Sequence, residues 1–372
     1  MLAVVAVTAV VWAACRNPAA PNTDCGAGVF STLPVPVSAI LAATPIGNMG
    51  PPVHTIPTDH VGFYITGTGV PLSAPGALRV TTVRKTRYLT SPFRAGQSDY
   101  AIYATVCRDV TINLGHITTV VSKIESQTGT NCQTYSTVDE TVEACLNDHA
   151  DISFTAGEAI GTVGGPTAGA FDMGVYDSSH SNGFVNAFRF SSMTNTAICP
   201  YDPFAPALRN QIDAVIGEPG RFASGESPRC GTMAVDVAGT ARGVWVLQSD
   251  PVNQSGNETN FAVLAPHPLF PQSGQTFSIG LPSLNVSASS PLLKFPVVDS
   301  GRVNRPFRDV TSDGLIYCYV ANSATSTSSV FIRLDAGPVL NIQKVNHAAA
   351  ASPCALAPAT WTLDGTAVKF IR

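Results

Sequence analysis

At 372 residues the chain is longer than one ordinary hydrophobic core organises, so two or three domains are expected. Charged residues make up only 12%, the net charge is −4, and no cluster of Lys and Arg appears, which argues against nucleic acid as a partner. The 45% hydrophobic content excludes a disordered chain, and low charge with abundant Gly, Pro, Ser, Thr and Asn points to an exported β protein.

Leu2 to Ala14 is an almost unbroken apolar run, too short to span a bilayer as a helix but suited to the core of a signal peptide. Residues 1–14 are therefore read as an export signal, without the usual preceding basic residues, and no transmembrane segment is expected. Two processing schemes stay open. Cleavage could follow Ala13, with Val11 and Ala13 at the small-residue positions, or Ala13-Ala14-Cys15 could serve as a lipobox that anchors the chain through Cys15. Trp12 stands where a lipobox prefers Leu, and a buried core element is the remaining alternative. Nine cysteines without a CxxC pair favour disulfides over a zinc ribbon. With Cys15 set aside, proximity in sequence pairs Cys132 with Cys145, Cys199 with Cys230 and Cys318 with Cys354; Cys25 and Cys107 remain for each other.

Residues 15–50 read as a tether and irregular lead-in, and 51–186 as the first β module. Strands are predicted at 61–66, 77–83, 100–106, 110–116 and 152–155, with a tight loop over 70–76 and a disulfide-stapled insertion over 126–150. The alternation of Val61, Phe63 and Ile65 predicts a half-buried strand, so His54, Asp59 and His60 stand at its mouth. His116 closes another alternating run, and Asp172 lies in the glycine-rich stretch Phe171–Gly174. Each has a plainer reading. His60 could cap a turn with Asp59, His116 could be a satisfied histidine at a strand end, and Asp172 could accept backbone hydrogen bonds. His54 is read as a loop residue. Asp177 and His180 are close enough in sequence to support a site built around Asp172.

The run His60-Val-Gly-Phe-Tyr-Ile, then Val-Pro-Leu-Ser-Ala-Pro-Gly-Ala-Leu-Arg-Val, Gly-His116-Ile and Ala-Gly-Glu-Ala-Ile-Gly-Thr-Val-Gly-Gly resembles the lysostaphin-type zinc metallopeptidases. The resemblance covers residues 54–177 and implies a duplicated-hybrid-motif β-barrel or sandwich acting on peptide cross-links of bacterial cell walls. It places His60 and Asp172 as metal ligands, zinc as the cofactor, and His116 as the catalytic histidine that stabilises the transition state. Asp59 and Tyr64 join Asp177 and His180 as supporting candidates. The match is altered in two motifs: Tyr64 occupies the position of a metal-binding aspartate, and Phe171–Gly174 lacks the family's paired histidines.

Residues 187–285 are expected to form a mixed extension. Ala205–Ile216 has the chain's clearest helical periodicity, bounded by prolines and Gly217. Cys230–Leu247 reads as strand, glycine turn and strand, with Asp236 and Arg242 as a hairpin ion pair. After linker-like residues 285–291, residues 292–372 read as a small C-terminal β domain with strands at 315–320, 329–334, 339–343 and 367–371. Its Tyr317, Tyr319, Phe331 and Trp361 are assigned to packing rather than to a sugar platform. The fold class expected is thus mainly β: a duplicated-hybrid-motif module, a mixed extension and a C-terminal β domain. Two functions are open for a secreted or lipid-tethered protein of the cell envelope. The loss of two motif positions favours a non-catalytic binding or scaffold module whose partner is a cell-wall peptide or glycan. The alternative is a divergent zinc-dependent metallohydrolase of peptidoglycan cross-links.

Overall fold

Strand-forming alternation dominates the molecule. The computed structural model describes residues 25, 28–51, 53–136, 140–165, 169–219, 221–222, 227–249, 258–284, 292–322 and 324–372. The expected export segment, Cys15 and the linker 285–291 lie outside the described residues. The first part of the chain contributes β1 (Ile40–Ala43), β2 (Val61–Ile65), β3 (Val70–Ser73), β4 (Leu78–Thr90), β5 (Ser98–Thr105), β6 (Val110–Ile117), β7 (Thr119–Val120), β8 (Cys132–Ser136), β9 (Thr141–Asn147), β10 (Ile152–Phe154), β11 (Ala159–Val163), β12 (Ala170–Asp177) and β13 (Ala197–Ile198). Ten of these build one antiparallel sheet in the order β1-β2-β12-β6-β5-β4-β9-β8, with β10 on β4 and β13 on β12; β3, β11 and β7 form a second, three-stranded sheet. The fold is mainly β, as the composition and periodicities indicate.

Alternation places one face of the large sheet in the core. Val61, Phe63 and Ile65 of β2, Phe171, Met173 and Val175 of β12, and Ile112, Leu114 and Ile117 of β6 are all buried there. Phe63 and Phe171, directly opposite in register, stack with ring centroids 5.7 Å apart. Each fully buried aromatic of this kind contributes about 1.5–3 kcal/mol from apolar surface removed from water. The opposite face of β2, β12 and β6 is left partly open.

The loop expected over 70–76 is half replaced by strand β3. Pro71 suggested a turn, but β3 lies at the edge of its sheet, where a missing N–H is tolerated. Gly161 fits there for another reason: a Cβ would collide with the Thr119 carbonyl, so glycine lets β11 close against β7. The 126–150 insertion is the hairpin β8–β9, whose β9 pairs with β4 and so widens the main sheet.

The second sheet-forming region differs most from expectation. After the short pair β14 (Gly217–Glu218) and β15 (Arg221–Phe222), strands β16 (Gly243–Leu247), β17 (Phe261–Pro266), β18 (Gly274–Ile279), β19 (Leu292–Pro296), β20 (Tyr317–Tyr319), β21 (Ser328–Asp335), β22 (Val339–Asn346) and β23 (Val368–Ile371) form one antiparallel sheet, ordered β19-β18-β17-β16-β23-β22-β21-β20. The expected boundary at 285–291 therefore falls between two paired strands, β18 and β19, and the C-terminal strand β23 pairs with β16. β16 and β17 are walls shared by two cores. Val244, Val246, Phe261, Val263 and Ala265 pack into the core of the first sheet, while Trp245, Ala262 and Leu264 pack with Phe277, Tyr319 and Phe370 on the other side.

The helix spans Pro206–Asp213, with proline at its first turn. Of the strand, glycine turn and strand expected over 230–247, the second strand is β16, while residues 230–242 have only isolated bridges. Asp236 does not serve as a hairpin ion-pair partner there: it accepts the N–H groups of Val185 and Val244, while Arg242 Nε donates to the Val235 carbonyl. Tyr317, Tyr319, Phe331 and Trp361 are buried, which fits packing and leaves no exposed platform. The four disulfides are Cys25–Cys107, Cys132–Cys145, Cys199–Cys230 and Cys318–Cys354.

Candidate functional site

Strands β2, β12 and β6 are neighbours, and their outward face floors a cleft of about 360 Å³ lined by His54, His60, Tyr64, Arg94, His116 and Asp172, among others. Asp172 is central. On β12 it lies opposite Gly62 of β2 on one side and Gly115 of β6 on the other. A Cβ at Gly62 would stand 3.6 Å from Asp172 Oδ1, and one at Gly115 would stand 3.4 Å from Asp172 Cβ. With glycine at both places the carboxylate rises from the sheet with open space to either side.

A histidine fills each space. His60, just ahead of β2, places Nε2 3.5 Å from Asp172 Oδ2, and His116 places its Nε2 3.3 Å from the same oxygen. His116 gets there through a bulge. Tyr100 pairs with Ile117 and Ile102 with Leu114, so Gly115 and His116 together oppose Ala101. The extra residue turns His116 outward, and it adopts φ 56°, a left-handed conformation unusual for a residue with a side chain.

Each imidazole is held from behind by its own carboxylate. His60 Nδ1 lies 3.0 Å from Asp59 Oδ1, and Asp59 Oδ2 accepts the Thr194 hydroxyl at 2.8 Å. His116 Nδ1 lies 2.7 Å from Asp99 Oδ2, which also accepts the Tyr88 hydroxyl at 2.8 Å. With a carboxylate accepting from Nδ1–H, Nε2 of each ring is directed at Asp172 and the cleft. Arg94 stacks 3.9 Å from the Tyr88 ring centroid and is held by Glu140 at 2.8 Å. His54 stands at the mouth, its ring centroid 5.8 Å from that of His60 and the planes crossing at 78°.

The electrostatics follow from this arrangement. Burial is the largest influence on both inner histidines and opposes protonation. For His60 the Asp172 charge and the Asp59 bond overcome it, and for His116 the Asp99 bond and the Asp172 charge do, so both pKa values are raised. Asp59 ends below the ordinary carboxylate range: burial pushes it up, but His60 and Thr194 prevail. His54 is lowered by desolvation between the cleft walls and then by His60, although its ring is open to solvent. The Tyr64 phenol is raised by burial and by Glu218 and Asp172. Glu258 reaches in from ahead of β17; burial pushes it up to about 7, against hydrogen bonds from the backbone of Ile56 and Thr55.

Of the residues singled out in the sequence, His60, His116, Asp172, Asp59 and Tyr64 meet here. Asp177 and His180 do not. Asp177 is five residues farther along β12, about 16 Å at the usual strand rise, and its carboxylate binds Ser179; His180 Nε2 is paired with Asn182. Asp99, Tyr88, Arg94 and Glu258 were not foreseen. Asp99 had a usable signal, a carboxylate in an otherwise apolar strand. Glu258 had none, since it contacts Ile56 across 202 residues of sequence.

Two imidazoles and a carboxylate form a donor set suited to zinc. Among the described residues, the one trio whose donor atoms all lie within 4.8 Å of one another is Cys132, Glu143 and Cys145. Its two sulfurs are joined in a disulfide, so it offers no thiolate. In the cleft His60 and His116 each come within 3.5 Å of Asp172, but no three described donors there all lie within that limit of one another. No protein-family model matches the chain, and no curated protein matches it.

Proposed function

We propose that this chain is a secreted, metal-dependent amide hydrolase of the bacterial cell envelope, related to the lysostaphin-type peptidases and acting on peptide cross-links of the wall. The observation that carries this reading is the placement of His60 and His116 on either side of Asp172, each with Nδ1 tied to a carboxylate and Nε2 facing the cleft. Backing carboxylates of this kind are what ligand and catalytic histidines need to fix tautomer and orientation. Four disulfides fit an oxidising compartment, and among the described residues no helix is long and apolar enough to cross a membrane.

His60 and Asp172 would hold the ion. Zinc bound there supplies an activated water and polarises the amide carbonyl. His116, its pKa raised, donates from Nε2 to the oxygen of the scissile carbonyl as charge develops on it. Asp99 balances that charge, and Tyr88 fixes Asp99. Arg94, on the wall, positions the substrate chain.

The test is cleavage of purified wall cross-link peptides by the full chain supplied with zinc. His116→Ala should retain the metal and lose about 10²–10³ in turnover, as removal of an oxyanion donor does elsewhere. A zinc-loaded protein that binds these peptides without cutting them would instead support the non-catalytic binding module. That second reading is favoured by one feature, the pairing of Tyr64 with Ala170 on the cleft floor, where neither residue is an acid or a histidine.

A further inference from the structure

His60 and Asp172 make only two ligands, whereas a zinc ion takes about three from the protein with one position left for water. His116 is badly placed to be the third if it also acts on substrate, because one Nε2 cannot coordinate and donate at once. Tyr64 offers a phenol, which is not among the usual zinc donors. His54 is on the His60 side of Asp172 and lines the same cleft. Its ring lies 5.8 Å from that of His60 at 78°. Two imidazoles on one tetrahedral ion have centroids about 5–6 Å apart, given Zn–N bonds of about 2.0–2.1 Å. Neither ring nitrogen of His54 is hydrogen-bonded to another described residue, so either one can be the nitrogen that carries the lone pair.

The backbone around His54 is fixed more firmly than a surface loop requires. His54 exchanges both backbone hydrogen bonds with Gly50, at 3.0 and 2.7 Å. The next residue, Thr55, accepts the buried Ser278 hydroxyl at 2.7 Å, and Ile56 N–H donates to Glu258 at 2.9 Å. Three consecutive residues are thus anchored, Thr55 to β18 and Ile56 to the turn ahead of β17, while the His54 side chain is exposed.

We propose that His54 is the third protein ligand, completing a His54–His60–Asp172 set for a zinc-type divalent ion and leaving His116 free for substrate. This inference rests on the metal-dependent reading above. The substitution of an acidic ligand by Tyr64 in the strand is then offset by a histidine from the preceding loop.

The full chain, stripped of metal by a chelator, is titrated with Zn²⁺ against a competing chromophore, and with Co²⁺ while its visible absorption is followed. His54→Ala and His54→Gln should each weaken Zn²⁺ binding by more than about 100-fold, beyond the 10–100-fold loss typical of an outer-shell partner, and should change the Co²⁺ spectrum. His116→Ala should leave both nearly unchanged. Urea midpoints equal to wild type establish that the variants fold, and the Gln variant serves if the Ala variant does not. A loss of less than 100-fold in a folded His54 variant overturns the assignment, as does a metal loss transferred to His116→Ala. A wild-type chain that binds neither ion overturns the metal-dependent reading itself.

Discussion

Glu258→Gln separates burial from charge at the seam between the loop of His54 and the second sheet. The carboxyl is raised from 4.5 to about 7 because it is held among protein groups near Asp59. Its folded pKa lies above the unfolded value, so the folded state holds the proton more tightly. The stability this confers is present below about pH 4.5 and is lost as pH rises through about 7. At about 1.36 kcal/mol per pKa unit the full loss is roughly 3 kcal/mol, and the side chain's partial exposure brings the expected figure to about 1–3 kcal/mol. Glutamine keeps an oxygen for the Ile56 N–H, which Glu258 accepts at 2.9 Å, and does not titrate. Urea unfolding at pH 5 and pH 8.5 should therefore give a variant close to wild type at the lower pH and about 1–3 kcal/mol more stable, relative to it, at the higher. His116 adds a loss of the same sign above pH 6.5 in both proteins, which the comparison cancels; His60 draws part of its raised pKa from the Glu258 charge, so its loss is smaller in the variant. Parallel pH profiles for wild type and variant would refute the reasoning.

Other expectations can be checked alongside. Asp99→Asn removes a buried charge that serves both Tyr88 and His116; a loss of about 2–4 kcal/mol is expected in urea unfolding at pH 6, and Tyr88→Phe in the same background should cost less than it does alone. A fragment of residues 292–372 lacks β16 to β18 and should show no cooperative thermal transition; a sharp one would mean that the sheet divides after all. Thiol titration of the denatured, unreduced chain should find none of the eight paired cysteines reactive, and replacing Cys318 and Cys354 together should cost about 2–4 kcal/mol.

What the sequence made legible was half-buried structure. β2 and the first part of β6 alternate, so their positions could be read, and with them the mouth residues His60 and His116. Cysteines close in sequence also proved close in space. β17 could not be read the same way: Phe261 to Ala265 is buried on both faces, so its apolar run has no period to distinguish it. The pairing of β16 with β23 joins segments more than a hundred residues apart, and no local pattern records it. β3 was hidden by Pro71, whose edge position cannot be known before the sheet is. In the site, Asp172 was legible through its neighbours, and Asp99 could have been found as a carboxylate in a mostly apolar strand, whereas Glu258 depended on how the two sheets meet.

The bulge at Gly115 and His116 also separates the architecture from the chemistry. A β-ladder has a parity: each step reverses the face that a side chain addresses, and β6 sends Leu114 inward and Ile117 inward with two residues between them instead of one. Removing either of those two would restore an unbroken alternation and every apolar contact beyond it, while leaving a single outward position beside Asp172. Deleting Gly115 would put His116 in that position, with its reach to Asp99 lost; deleting His116 would leave only glycine. Either way the alternation of the ladder is kept and the His116–Asp99 arrangement is lost, so one codon separates this chain from one of the same shape whose cleft keeps His60 and Asp172 without the second histidine.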